Sequence, residues 1–310
     1  MPDGRRRAEA PSPELPPDPD PEPAFEPAPL NVLRMVNPES LGAGNEPALR
    51  REEAEVPPRQ VERGVIAFDL DGTLLDDIKL ISHVAADVLH QAFGTPPEEG
   101  RIHYLATTGM PFEAQLAQLY PDAPPELRRS TARTFHERKA REAYAYAHPY
   151  PEIPRILKQL DRERWTMVIS TGAEREVADL MLEREGLRIW FDAVLGSAQG
   201  TKREHLLEFR RRYSGAPMFL VGDSRFDLEA ARDTGVPMLG RASLLPGWTL
   251  TPEDFRSWGA IWSDYNLSAM PEVVAQWKGP PSRRSAPARS KRPRSATPSG
   301  RSPGPAPKKR

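Results

Sequence analysis

VIAFDLDGTLLDD, residues 65–77, begins as an apolar run of strand length and ends in Asp69, Asp71, Gly72 and Thr73. The run lacks apolar–polar alternation, as a strand buried on both faces does. Such strands belong to parallel sheets covered by helices. Two carboxylates then stand one residue apart where the strand should stop, with Gly72 allowing a tight turn and Thr73 able to hydrogen-bond locally.

Four more runs of strand length follow: Thr166–Ser170, Asp192–Gly196, Pro217–Val221 and Val236–Gly240, with a further run at Ala260–Asp264. Helical patterns separate them, notably Glu174–Gly186, with Val177, Leu180 and Met181 on one face, and Lys202–Gly215. Each ends in a glycine suited to a C-cap. Strands alternating with helices predict right-handed βαβ units, so the fold class is α/β with a Rossmann-like parallel sheet. Nearly a hundred residues separate the first strand from the second. Their patterns are helical: Ile81, Val84, Ala85 and Val88 share a face, as do Phe112, Leu116 and Leu119, and the charged segment 133–147 reads as a solvated helix. A small helical cap inserted there would roof the carboxyl end of the sheet, where open α/β sheets bind ligands.

The chain has 310 residues and 36 prolines, crowded towards both ends. Apolar residues there are too sparse to offset the entropy of ordering the backbone, so both ends read as disordered. The expected division is a Pro-rich acidic tail over 1–62, a core over 63–78 and 161–278, a helical cap over 79–160, and a basic Pro/Ser-rich tail over 279–310. An apolar island, Asn31–Val36, interrupts the first tail and receives no function.

The net charge of −1 averages over these segments, because the last tail carries ten Lys or Arg and no acid. Any contact with nucleic acid or an acidic surface would run through that tail. The absence of cysteine excludes disulfides and thiolate sites. No apolar segment has the length of a membrane span or a signal-peptide core. The default expectation is a soluble cytoplasmic protein, with no membrane partner and an undetermined oligomeric state.

A carboxylate is a competent nucleophile towards phosphorus, and a second one nearby can serve as acid and base. Two like charges so close call for a cation. Mg²⁺ fits best, with Asp69 and Asp71 among its expected ligands, since it takes oxygen ligands and bridges carboxylate and phosphate oxygens. MFLVGDSRFDLEAARDTG (218–235) repeats the pattern, a buried strand leading into Asp223 and Asp227 as further oxygen ligands. TMVISTGAERE (166–176) ends in Ser170 and Thr171 before a helix, where hydroxyl and N–H groups suit a phosphate oxygen. Lys202 stands at a helix start, against the helix dipole, which hints at an anionic partner.

Together, in this order, these segments resemble the haloacid dehalogenase superfamily of hydrolases, whose first motif, D-x-D-G-T-L, is matched without departure. The resemblance implies that Asp69 is the nucleophile that forms an aspartyl-phosphate and Asp71 the general acid and base. It also implies that Ser170 binds the phosphoryl group, with Thr171 the adjacent alternative, that Lys202 orients the nucleophile, and that Asp223 holds Mg²⁺ assisted by Asp227. Gly72 and Thr73 join the substrate-binding set. In the insertion, TTGMPFEAQL (107–116) resembles the substrate loop of phosphoglycolate phosphatases and brings Gly109 into that set.

The position of the cap is similar to that in phosphoglycolate phosphatases, β-phosphoglucomutases and phosphonatases. A Mg²⁺-dependent phosphatase acting on a small phosphate monoester is therefore expected, with phosphoglycolate first among the substrates. The alternatives are a phosphosugar mutase, a nucleotide or pyrophosphate hydrolase, or an inactive binding protein working through its basic tail. The six histidines show no metal-ligand spacing and are read as surface or packing residues.

Overall fold

Six short strands form one sheet in which every neighbouring pair is parallel. In the computed structural model, which describes residues 61–248 and 250–278, they are β1 (Gly64–Phe68), β2 (Trp165–Ser170), β3 (Phe191–Leu195), β4 (Met218–Gly222), β5 (Met238–Arg241) and β6 (Trp262–Asp264). The basic tail, the island 31–36 and all but the last two residues of the acidic tail lie outside the described residues. The order is β3-β2-β1-β4-β5-β6, so the chain reverses its direction of travel beside β1. Crevices form at such switch points, outside the carboxyl ends of the strands.

Burial on both sides explains the missing alternation. Ile66, Phe68, Met167, Ile169, Phe219 and Val221 pack on one face of the sheet, with helices α5 (Ile153–Arg162), α6 (Arg175–Arg184) and α10 (Met270–Gln276) supplying Leu157, Leu182 and Val274. Val65, Ala67, Val168 and Leu220 pack on the other, with α7 (Lys202–Arg212), α8 (Arg225–Thr234) and α9 (Pro252–Ser257) supplying Phe209, Leu228 and Phe255. Burial of side chains of this size contributes roughly 1.5–3 kcal/mol each, which makes the strands a stiff mount for whatever leaves their ends.

Between β1 and β2 lie α1 (Ile78–Phe93), α2 (Pro97–Thr107), α3 (Phe112–Leu119) and α4 (Pro125–Arg138). Ile81, Val84, Ala85 and Val88 are buried on α1 as their spacing predicts, whereas on α3 Gln115 joins Phe112 and Leu116 and Leu119 is only half-buried. The segment 133–147 departs from expectation. After α4 the helix widens into a π-helical turn, Lys139–Ala143, and closes in a 3₁₀ turn, Tyr144–Tyr146. Phe135, Ala143, Tyr144 and Ala147 are buried, so this is no solvated helix.

Two contacts seat the insertion over the carboxyl ends of the strands. Gly109 has φ +94°, and a Cβ placed on it would lie 2.7 Å from Ser224 Oγ, just after β4. Arg101 Nη1 donates to the Pro246 carbonyl at 2.6 Å, in the loop after β5. The apolar cluster on the Phe68 face continues without a break into Leu105, Phe112 and Phe135 of the insertion. Among the described residues, no helix is long and apolar enough to cross a membrane.

Candidate active site

Strand register places the first carboxylate. Phe68 pairs with Ile169 on one side and Val221 on the other, so Asp69 leaves the sheet level with Ser170 and Gly222. Its N–H still donates to the Val221 carbonyl at 2.9 Å, which fixes the backbone of a residue already beyond the strand. Lys202 opens α7, whose first turn is held by Thr201 and Glu204 in a reciprocal cap. From there Nζ reaches Asp69 Oδ2 and Asp227 Oδ1, each at 2.6 Å. Burial pulls the Lys202 pKa down, but Asp227, Asp69 and Asp223 outweigh it and hold the ammonium charged.

Asp223 follows β4 and is buried, yet neither carboxylate oxygen has a hydrogen-bond partner among the described residues. An orphaned buried carboxylate is costly, and a cation resolves the cost. Asp69, Asp223 and Asp227 each present a carboxylate oxygen, all within 4.8 Å of one another, a donor set of hard oxygens that fits a divalent cation. Without one, burial first and then neighbouring Asp69 and Asp227 hold the Asp223 carboxyl well above the carboxylate range. Burial likewise pushes Asp69 up to about 7, against the opposing charge of Lys202. Asp227 differs from the other two. Its Oδ1 takes Lys202, and its Oδ2 accepts from the Ser224 N–H at 3.1 Å and from the Ser224 hydroxyl, closing the cap of α8. It anchors Lys202 and its own helix before it can serve a cation.

The carboxylate of Asp71, expected as a fourth ligand, is not in this group of three. Instead its Oδ2 accepts from Lys139 Nζ at 2.7 Å and from the Tyr144 hydroxyl at 2.8 Å, both from the insertion. Burial raises the Asp71 pKa, but the Lys139 charge and these hydrogen bonds prevail and keep it low. Asp77, also buried, faces the same group. Burial and the Asp71 charge hold the Asp77 carboxyl well above the usual range, while its Oδ1 accepts from the Gly72 N–H at 3.1 Å. Lys139, Tyr144 and Asp77 carried no motif in the sequence.

At the end of β2, Ser170 Oγ meets His205 Nδ1 at 3.0 Å, and His205 Nε2 meets the Gly196 carbonyl at 3.0 Å. A carbonyl only accepts, so Nε2 carries the hydrogen. Burial lowers the His205 pKa to about 4, so the ring is neutral and Nδ1 must accept. The Ser170 hydroxyl is therefore the donor. Thr171 Oγ1, by contrast, accepts from the Ala173 N–H at 3.1 Å, and its own hydrogen is uncommitted among the described residues. The histidines are read from the sequence as surface or packing residues; His205 packs one helical turn after Lys202 and also fixes the Ser170 hydroxyl.

Gly72 has φ +71°, and a Cβ there would overlap Asp223 Oδ2, so only glycine lets the β1 loop and the β4 carboxylate close on each other. Thr73 is fully buried, with its hydroxyl unpartnered among the described residues. Gly109, in the insertion, lies against Ser224, next to Asp223.

Comparison with known proteins finds relatives of this chain. Residues 66–240 match the family model described as haloacid dehalogenase-like hydrolase. A phosphoglycolate phosphatase from Vibrio parahaemolyticus is 28% identical over 57% of this chain and 82% of its own length. A pyrophosphatase from Halalkalibacterium halodurans is 26% identical over 69% and 96% respectively. Among solved structures, a haloacid dehalogenase-like family hydrolase from Streptococcus pneumoniae aligns with a TM-score of 0.56 over 69% of this chain and 97% of its own, at 23% identity, a likeness of fold.

Proposed function

This chain belongs to the haloacid dehalogenase-like hydrolases, and on that premise we propose that it is a Mg²⁺-dependent phosphatase of small phosphate monoesters, phosphoglycolate first among them. The observation that carries the reading is the pairing of two buried aspartates at adjacent strand ends. Asp69 is held by Lys202 at 2.6 Å, and Asp223 has both oxygens unpartnered. Mg²⁺ would be held by Asp69 and Asp223, with Asp227 beside them, and when bound it supplies positive charge against the phosphoryl oxygens.

In this mechanism an Asp69 oxygen attacks phosphorus, the ester P–O bond breaks, and an aspartyl-phosphate forms. Asp71, ionised in the free site while Lys139 rests on it, takes up a proton from solvent as the substrate displaces that ammonium, and passes it to the leaving alkoxide. Water then attacks phosphorus and loses its proton to Asp71, the P–O bond to Asp69 breaks, and inorganic phosphate leaves. Lys202 orients Asp69 and offsets charge gathering on the phosphoryl oxygens. The insertion roofs the site and limits access of bulk water.

The test is turnover of a panel of phosphate monoesters by the full chain with Mg²⁺, with EDTA, and in Asp69→Asn. Activity on small esters, lost in both controls while the circular dichroism spectrum is kept, is expected; full turnover in both would overturn the reading. Pyrophosphate belongs in the panel because a pyrophosphatase matches over nearly its whole length.

A further inference from the structure

Lys139 is out of character with its surroundings. Its neighbours Arg138 and Arg141 pair with Glu142 in the next turn, and Arg138 also with Asp87 of α1. Lys139 instead turns inward, its side chain 13% exposed, and crosses to a carboxylate 68 positions earlier in the chain. The helix widens into a π turn at that residue, a deviation frequent at functional sites. Burying an ammonium is costly unless it is well paired, and this one is served sparingly. One N–H goes to Asp71 Oδ2, the ring of Tyr144 lies 4.4 Å from Nζ, and no other acceptor binds it among the described residues.

We propose that Lys139 is the specificity-determining cation of this site, recognising a second acidic group on the part of the substrate that leaves. The inference rests on the phosphatase reading and deepens it. If Asp71 hands its proton to the ester oxygen, then whatever touches Asp71 lies beside the leaving group. Lys139 Nζ, 2.7 Å from Asp71 Oδ2, is such a neighbour, and so is the Tyr144 hydroxyl. An ammonium with donors to spare selects for an anion within a few bonds of the ester oxygen, either a carboxylate or a second phosphoryl group. Uncharged leaving groups gain nothing from it. In the structure Lys139 rests on Asp71; an arriving anion competes for the same ammonium and frees Asp71 Oδ2 for the ester oxygen.

The test compares the full chain with Lys139→Met and Lys139→Arg on three probes, 2-phosphoglycolate, pyrophosphate and p-nitrophenyl phosphate. A charge-assisted hydrogen bond is worth about 10- to 100-fold. For Lys139→Met, kcat/KM should fall by roughly that factor more on the acidic probe that the site accepts than on p-nitrophenyl phosphate. Lys139→Arg should recover part of the difference. Whether 2-phosphoglycolate or pyrophosphate shows the loss identifies the anion. Equal losses on all three probes would overturn the proposal and reduce Lys139 to a positioning residue for Asp71.

Binding provides a readout separate from turnover. In calorimetric titrations the unaltered chain should bind the accepted acidic probe more tightly than inorganic phosphate, and Lys139→Met should remove that margin. An unaltered chain that turns over no ester but keeps a Lys139-dependent margin would overturn the phosphatase reading and leave the anion site standing. A margin that survives in Lys139→Met would overturn the anion site.

Discussion

Ser170 donates its hydroxyl hydrogen to His205 Nδ1, 3.0 Å away, because the far nitrogen of the ring is committed to the Gly196 carbonyl. The hydroxyl aligned by the family resemblance with phosphoryl binding is thus already in use, and its neighbour Thr171 holds the free hydrogen. Thr171→Val should lower kcat/KM about tenfold or more, the loss of a charge-assisted hydrogen bond. Ser170→Ala should act first on stability, by about 1–3 kcal/mol, because it leaves His205 Nδ1 without a donor. Steady-state kinetics and urea unfolding of the two variants check this, and the reverse ranking would return phosphoryl binding to Ser170.

The same histidine makes the fold sensitive to acid. Its folded pKa is depressed to about 4 by burial, whereas an exposed imidazole titrates near 6.5. As pH falls below about 6.5 the unfolded chain takes up a proton that the folded chain refuses, so stability declines and the loss is complete near the folded value. The expected decline is on the order of 3 kcal/mol. Urea unfolding between pH 7 and 4.5 should show it, and His205→Gln should flatten that part of the slope.

Asp223 sets activity against stability. Its carboxylate is buried without a partner and crowded by Asp69 and Asp227. In EDTA, Asp223→Asn should raise the melting temperature by the equivalent of about 1–3 kcal/mol, because the amide has no charge to be suppressed by burial or crowded by Asp69 and Asp227. With Mg²⁺ the order should reverse, since only the unaltered protein gains from binding the ion. Scanning calorimetry with and without Mg²⁺ would show the crossing; a variant destabilised in EDTA would contradict it.

Glu152 and Arg241 form a buried pair at 2.6 Å, with the guanidinium over the ring of Tyr150. Arg241 ends β5 and Glu152 immediately precedes α5, so the bond ties the chain returning from the insertion to the sheet. Glu152→Gln should cost about 3–5 kcal/mol because it leaves the arginine charge uncompensated. Replacing both residues by Gln and Leu should cost less than the single change, as chemical denaturation would reveal.

Much of the site was legible because strands of a parallel sheet end on one edge. Apolar runs followed by Asp69 and by Asp223 must deliver both acids there, and the helix beginning at Lys202 starts at that same edge. What escaped the sequence lies in the insertion. Lys139 and Tyr144 sit in a charged run that reads as a solvated helix; the run instead widens into a π turn beginning at Lys139, which faces Asp71, and no residue type signals that widening. Asp71 was read as a ligand on its proximity to Asp69 along the chain. Strand alternation would keep both on one side, but β1 stops at Phe68 and the chain turns over 70–72, with Gly72 at φ +71°, so the Asp71 carboxylate goes to the insertion. His205 was hidden for a different reason: its partners, Ser170 and the Gly196 carbonyl, meet it only through the fold.

The apolar cluster running from Phe68 under the sheet into Phe112 and Phe135 has an implication for redesign. Parts that share one interior melt together, so the helices between β1 and β2 are not a cassette to be exchanged for those of a relative. A graft that changes specificity by replacing them wholesale would have to bring its own underside. Replacing Lys139 itself, while keeping Phe135, Ala143 and Tyr144 of that shared layer, leaves the foundation intact and is the practical route to a new substrate.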